Sequence, residues 1–341
     1  MPISLSRMQY NPIIQMAKTT SIIRRSIYAF LQNYQYFTTT AAFLAFPYAA
    51  SILLSQAVVP SSSSLLPAIY HRIETLFHAA GIPPSSLFFN ILNLKISQTI
   101  SSSILTLPFT LTFFLIAKAS IIQAFNNPKS TLPPSSFSIF SIFNPLFVTH
   151  MLNSFLILST NATAFSILFF AFNFLEGFGF SSPNFLLIIS AAGAVFYSVA
   201  LANTLIICNL ALVLSGMEKS GGYLAILKSC VLIRGRTSQA LSLAVPVNLA
   251  LAAIEALFQY RVVTAYHVAG STSYSMALEG MLITYLYSIF VVLDTVVSCL
   301  FFKSCKSGSC IDQEDENSYS IEIEDEDPGN YASLKNSEQL P

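Results

Sequence analysis

Charged residues are scarce in this sequence. Only 9% of its 341 residues are aspartate, glutamate, lysine or arginine, whereas 54% are hydrophobic. No acidic residue precedes Glu74, and ten of the sixteen acids lie between Asp312 and Glu338. The chain therefore has a basic N-terminal part and an acidic C-terminal part, which indicates two different solvated tails. The scarcity of charge between them argues against a soluble multidomain protein.

Recognisable catalytic motifs are absent as well. The sequence contains no Ser/His/Asp set, no paired cysteine ligands and no His-Glu-x-x-His motif. The segment Gly216-Met-Glu-Lys-Ser-Gly-Gly222 lacks a phosphate-binding loop, because Glu218 stands where that motif requires glycine. We interpret its glycines as the end of a helix and the start of the next one. We therefore predict no enzymatic activity, no metal site and no cofactor.

Long apolar runs take the place of charge. A helix needs about 20 apolar residues to cross about 30 Å of hydrocarbon. Six runs reach this length, and we predict an all-α, polytopic membrane protein with six transmembrane helices. The predicted spans are Phe37–Val59, Ile96–Ala117, Phe147–Phe172, a segment within Phe185–Leu214, Ala240–Phe258 and Ala277–Phe302.

The lysines and arginines between the spans predict the orientation, since cytosolic segments carry an excess of them. With a cytosolic N-terminus, thirteen of the sixteen lie on the cytosolic side, and only Arg72, Lys95 and Arg261 lie on the other side. Lys118 is among the thirteen. We predict that both termini are cytosolic, in the endoplasmic reticulum, another endomembrane or the plasma membrane.

All five cysteines fall on or near this predicted cytosolic side, so we expect no disulfide framework. Cys305 and Cys310 follow the last span and alternate with lysines. That context suits S-palmitoylation, and unmodified thiols are the alternative.

Three connecting segments have the periodicity of amphipathic surface helices: Thr19–Gln35, Leu66–Ala80 and Tyr223–Arg236. The first and third carry basic residues beside an apolar stripe, which favours a position in the interface facing anionic head groups. The predicted basic interfacial residues are Arg24, Arg25, Lys228, Arg234 and Arg236.

The sequence thus divides into three parts. Residues 1–36 form a basic cytosolic segment with an amphipathic helix, residues 37–302 form the six-span membrane domain, and residues 303–341 form an acidic cytosolic tail. The tail is too poor in apolar residues to order itself, so we predict disorder from Ser307 onward. Tyr331 and Leu334 fit a tyrosine-x-x-apolar sorting motif, which would give the tail adaptor proteins as partners.

The stretch Ser215–Arg236, together with Ala240–Val262, resembles a family of plant multi-pass membrane proteins of unassigned function. More remotely, the pattern of Ala225–Arg236 is similar to the membrane domain that accompanies some bacterial glycerophosphodiester phosphodiesterases. The catalytic residues of those enzymes lie in a separate soluble domain, for which this chain has no room. The resemblance therefore implies a six-span helical fold and no activity.

Acidic residues inside spans are functional candidates, because each costs about 2.5–3.5 kcal/mol to insert at a helix centre. Asp294, Glu279 and Glu255 are the three in this chain. Glu279 and Asp294 lie fifteen residues apart, about 22 Å along one helix face. One interpretation is an ion or proton path. The other is structural: Glu255 or Glu279 contacts Arg261, and Asp294 binds a hydroxyl, lysine or arginine.

The hydroxyl-rich second span also has two interpretations, since its serines and threonines suit either close helix packing or a polar pore lining. From these features we predict a non-catalytic membrane protein that organises or binds membrane partners or lipids. The alternative is a small-solute or ion transporter that uses Asp294. The lipid bilayer is the one partner that composition requires; no nucleic acid is expected.

Overall fold

The computed structural model describes residues 12–61, 65–79, 87–126, 136–177, 183–269 and 274–324. In these ranges the backbone is almost entirely helical and contains no strand, as predicted. The helices are α1 (Pro12–Gln32), α2 (Tyr34–Thr40), α3 (Phe46–Ser61), α4 (Leu65–Ala79), α5 (Leu87–Phe109), α6 (Leu115–Asn126), α7 (Ser136–Gly177), α8 (Pro183–Glu218), α9 (Tyr223–Ile233), α10 (Thr237–Phe258), α11 (Thr264–Ala269) and α12 (Tyr274–Glu324).

The described residues hold six helical segments that are long and apolar enough to cross a membrane, which confirms the predicted number. These spans one to six are Tyr34–Pro60, Asn93–Asn126, Ile139–Leu168, Ala191–Glu218, Thr237–Tyr266 and Tyr274–Ser307. We call the end of the bundle that holds Tyr34, Asn126 and Phe302 the near end, and the opposite end the far end.

Span one reaches the interior of the bundle through small residues. Ala41, Ala45 and Ala49 recur every four residues, so they share one helix face, and all three are fully buried. They join two buried clusters that also contain Val292 and Val296, or Ile283 and Val291, of span six. Small side chains let helix backbones approach closely where lipid supplies no competing hydrophobic force. Spans one and six therefore share two buried clusters.

Π-helical turns interrupt spans one, two and five at Ala41–Ala45, Thr110–Phe114 and Gln259–Val263. Two of them lie beside prolines. Pro47 follows the first turn and lacks the N–H that would bind the carbonyl of Phe43, and Pro108 directly precedes the second turn. Pro108 is thus followed by a widened helical turn. Such turns concentrate at functional sites.

Most hydroxyl groups of span two are hydrogen-bonded within their own helix, and one contacts span one. Ser97, Thr99, Ser101, Ser103, Thr106, Thr110 and Thr112 each donate a hydrogen bond to a carbonyl of the preceding turn. Ser102 lies 2.7 Å from Ser55 of span one. Ser97 and Ser101 are buried, whereas Thr99, Ser103 and Thr112 are exposed, so the hydroxyl groups lie on more than one side of the helix.

Helix is more extensive than the sequence predicted. The proline-containing connection between spans two and three is helical up to Asn126 and again from Ser136, with Pro145 inside α7. Prolines are tolerated in such helices because nearby side chains satisfy the freed backbone groups. The consequence is that Lys118 lies inside a span.

The chain divides into two units, Met1–Phe302 and Lys303–Pro341. α12 has helical backbone as far as Glu324, so helix replaces the disorder that we predicted from Ser307 over the described part of the tail. Once a helix exists, each added residue gains one hydrogen bond without a new nucleation cost, and no proline interrupts this stretch. Residues 325–341 lie outside the described residues, and disorder there stays a prediction.

Candidate functional site

A polar cluster at Asp294 links three spans. Asn209 of α8 donates from its Nδ2 atom to Asp294 Oδ2 at 3.2 Å and to Ser298 Oγ at 3.0 Å. Its Oδ1 atom accepts a hydrogen bond of 2.6 Å from Lys118 Nζ of α6. The amide orientation follows from chemistry, because an ammonium can only donate and so must face the amide oxygen. Asn209 is therefore a neutral bridge between one cation and one anion.

Lys118 is the member that sequence reasoning misplaced. We assigned it to a cytosolic loop, but its side chain is only 3% exposed within the bundle. Its Nζ atom lies 4.8 Å from the centre of the Phe114 ring, a cation–π contact that adds to the bond with Asn209. The apolar residues that follow it, among them Ile121 and Ile122, are the signal that could have extended span two past Lys118.

The two opposite charges make burial of the cluster tolerable. A lone charge in a low-dielectric interior costs several kcal/mol, and a partner of opposite sign with complete hydrogen bonding offsets that cost. Asp294 was predicted to bind a hydroxyl, lysine or arginine. Its hydrogen-bond partner is instead an amide, which brings in Lys118 and Ser298. Asn209 was not singled out in the sequence, although it stands between apolar neighbours in span four.

A small cleft lies beside this cluster between α8, α10 and α12. Its polar wall consists of Asn209, Asp294 and Ser298, and the remaining wall is apolar, with Leu243 and Phe301 among its members. Its volume of about 40 Å³ exceeds the 10–15 Å³ that one water molecule needs. The cleft can therefore hold a few water molecules against Asp294.

A second polar cluster surrounds Glu255 toward the far end. Tyr287 of α12 donates its hydroxyl to Glu255 Oε1 at 2.9 Å, and Gln56 of α3 donates from Nε2 to Oε2 at 3.2 Å. Both carboxylate oxygens thus have a neutral donor. Among the described residues no cation lies within ion-pair distance of Glu255, so its predicted contact with Arg261 is not formed.

Glu279 makes that contact instead. Arg261 Nε donates to Glu279 Oε1 at 2.6 Å, which confirms the other half of the prediction. The Arg261 side chain is 53% exposed and that of Glu279 is 37% exposed. This pair is therefore a rim contact at the far end, unlike the internal clusters.

Tyr48 of α3 lies between the two internal clusters. Its ring packs at 4.5 Å against Phe114, the ring that carries Lys118, and against the buried cluster that contains Tyr287 and Val291. Its hydroxyl makes no hydrogen bond to a described residue, and it lies in the electrostatic field of both Asp294 and Glu255. A phenol can both donate and accept a hydrogen bond, so Tyr48 has the chemistry of a bridging group.

Two amphipathic helices lie at the near end, and both expose apolar and basic groups. In α1, Arg24 and Arg25 are exposed beside Ile27 (46%) and Leu31 (60%). In α9, Tyr223 (66%) and Val231 (73%) are exposed, whereas Ala225, Ile226, Ser229 and Ile233 pack inward. Each helix thus packs against the protein on one face and exposes apolar and basic side chains on another; its interfacial position stays a prediction.

The basic residues of these helices differ in their partners. Lys228 is bound to Glu218 at 2.9 Å, whereas Arg24, Arg25 and Arg234 form no ion pair with a described residue. Lys219 adopts a positive φ of 55° and Gly222 one of 82° where α8 ends and α9 begins. The predicted terminating role of this glycine segment is confirmed, although a lysine takes one of the left-handed positions.

Comparison with known proteins assigns the chain to a family. A family model described as Domain of unknown function (DUF8558) matches residues 9–340. The chain belongs to this family. The match spans the membrane region and the acidic tail of the DUF8558 chain. No curated protein and no solved structure matches it. The resemblance to the plant family and to the phosphodiesterase-associated domain stays a prediction.

Other predicted sites have varied outcomes. Cys305 is buried, and the side chain of Cys310 lies outside the described residues, so S-palmitoylation stays a prediction. Tyr331 and Leu334 also lie outside them. The described residues contain no group of three potential metal ligands, and His71 instead lies 3.5 Å from Glu74 on the exposed surface of α4.

Proposed function

We propose that the DUF8558 chain is a non-catalytic integral membrane protein that binds anionic lipids, and through them organises membrane partners, with α1 and α9. The observation that carries the proposal is the exposure of Arg24, Arg25 and Arg234 beside exposed apolar side chains at one end of the bundle. Apolar burial and attraction to anionic head groups act together in such helices.

This proposal includes the orientation and location predicted above. The near end faces the cytosol, where anionic lipids are enriched, and the protein resides in an endomembrane or the plasma membrane. Removal of Lys118 from the cytosolic group leaves twelve basic residues on that side against three on the other, so the bias persists. Accessibility of a reporter placed at the N-terminus and at Glu176 tests it, since these positions should report opposite sides.

Lipid titration tests the function directly. The full chain in detergent should be stabilised against thermal unfolding more by phosphatidylserine or phosphatidylinositol than by phosphatidylcholine. Arg24→Gln with Arg25→Gln should remove most of this preference, because each basic residue near an anionic surface contributes about 1 kcal/mol.

The matched control is Arg72→Gln in α4, which should leave the lipid preference intact. Equal stabilisation by anionic and zwitterionic lipid, or an unchanged preference in the double variant, would contradict the proposal.

A second candidate function is transport of an ion or small solute through Asp294. Its support is the contact of Asp294 with a cleft that can hold water. Acids inside a membrane domain commonly mark ion pathways. Asp294→Asn, which keeps the size of the side chain, should abolish ion flux in vesicles that contain the reconstituted chain.

A further inference from the structure

We propose that the interior of the bundle contains a proton path in which Asp294, Tyr48 and Glu255 exchange protons. This inference rests on the second candidate function and names the proton as the transported ion. It does not require the lipid proposal.

The carboxylates of Asp294 and Glu255 lie at different depths in the bundle. Tyr287, which holds Glu255, precedes Asp294 by seven residues in α12. Seven residues are close to two helical turns, so both side chains lie on the same face, about 10 Å apart along the axis. Each carboxylate belongs to its own hydrogen-bonded cluster, and no hydrogen bond joins the two clusters directly among the described residues.

Tyr48 fills the interval between them. It packs against Phe114 and against the apolar cluster that contains Tyr287 and Val291, and its hydroxyl has no partner among the described residues. A hydroxyl enclosed among helices is almost always hydrogen-bonded to protein or water. Bridging water between Tyr48 and the carboxylates would satisfy the hydroxyl and complete the connection.

Water reaches Asp294 from the cleft between α8, α10 and α12. The cleft has room for a few water molecules in contact with Asp294 and Ser298. It also extends to Ala240 and Phe301, close to the near end of spans five and six. Water in the cleft would bring protons to Asp294 from the near end.

The proton balance is simple. Asp294 accepts a proton from cleft water on a carboxylate oxygen and passes it to the Tyr48 oxygen through bridging water. Tyr48 releases its own hydroxyl proton toward Glu255, so the phenol remains neutral in total. Glu255 releases a proton toward the far end. One proton enters and one leaves, and no bond other than O–H forms or breaks.

Several charged and titratable groups surround the two carboxylates of the path. Lys118 is connected to Asp294 through Asn209. The centre of the His150 ring lies 6.2 Å from the centre of the Phe114 ring. Glu255 faces the neutral donors Tyr287 and Gln56. These are the charged and titratable groups that face the path, and the positive charge of Lys118 lies on the Asp294 side of it.

Reconstituted vesicles provide the test. The full chain is placed in vesicles with a potassium gradient, valinomycin sets the membrane potential, and an internal pH-sensitive dye records proton flux. We expect flux above that of protein-free vesicles, and loss of it in Asp294→Asn, Tyr48→Phe and Glu255→Gln. Tyr48→Phe removes one oxygen and leaves the apolar packing, so thermal unfolding should confirm that this variant is folded.

Matched controls are Tyr260→Phe, whose residue is 72% exposed, and Glu279→Gln at the exposed rim. Both should conduct like the unaltered chain. Wild-type flux no greater than that of empty vesicles, or unchanged flux in folded Tyr48→Phe, would overturn the path. Potassium or sodium flux that depends on Asp294 without proton flux would overturn it too, while supporting the broader transport candidate.

Discussion

Two acids of the same helix, Asp294 and Glu279, meet their cations in different ways. Glu279 binds Arg261 directly at 2.6 Å on an exposed rim, whereas Asp294 reaches the buried Lys118 only through Asn209. Water and salt screen the first pair, but the low-dielectric interior strengthens every interaction in the second. We therefore expect the buried acid Asp294 to matter more for stability than the exposed acid Glu279.

The largest effect is expected from Lys118→Met, which strands the Asp294 carboxylate. Lys118 and Asp294 are joined through Asn209, so we expect the loss to approach the ~3–5 kcal/mol that removal of one partner of a direct buried ion pair costs. Chemical unfolding in detergent or in bilayers should show this loss. The double variant Lys118→Met with Asp294→Asn should be more stable than the sum of the single changes predicts. Additive losses would show that the two charges are not coupled.

An intermediate effect is expected from Asn209→Leu. The substitution removes an acceptor from Lys118 and a donor from Asp294 and Ser298 without removing either charge, so we expect a loss of about 1–3 kcal/mol. Asn248→Leu is the control, because Asn248 is exposed and bonds only to the carbonyl of Ala244 in its own helix. Equal stability of the two variants would deny Asn209 its bridging role.

The smallest effect is expected from Arg261→Gln. The exposed guanidinium and its partner are screened by solvent, and pairs of this kind contribute little. Thermal unfolding temperatures of the variant and the unaltered chain should agree within measurement error and should respond alike to added salt. A loss of stability comparable to that of Lys118→Met would contradict the contrast between the exposed Glu279 and the buried Asp294.

Particular residues show where sequence reasoning succeeded. The exposed pair of Glu279 and Arg261 was predictable because both residues stand at the ends of consecutive spans joined by a short connection. The helices α1 and α9 followed from periodicity, since the spacing of apolar and basic residues along a short segment is a local property of the sequence. The termination of α8 followed from its glycines in the same way.

Other residues show where it could not succeed. Lys118 lies one residue beyond an apolar run, and local composition does not distinguish a lysine that ends a span from one that continues inside it. Asn209 is an ordinary polar residue in a long apolar helix. The partner that gives each its role lies 91 or 85 positions away in the chain, so no local pattern contains either contact.

The sequence by itself determined the membrane class, the six helical spans and the basic near end, because each depends on length, apolar content and charge along a continuous segment. Only the tertiary structure decided that Lys118, Asn209 and Asp294 form one cluster, that Glu255 is held by Tyr287 and Gln56, and that Tyr48 lies between them. Those contacts depend on how the helices pack against one another, and packing is a property of surfaces assembled from distant parts of the chain.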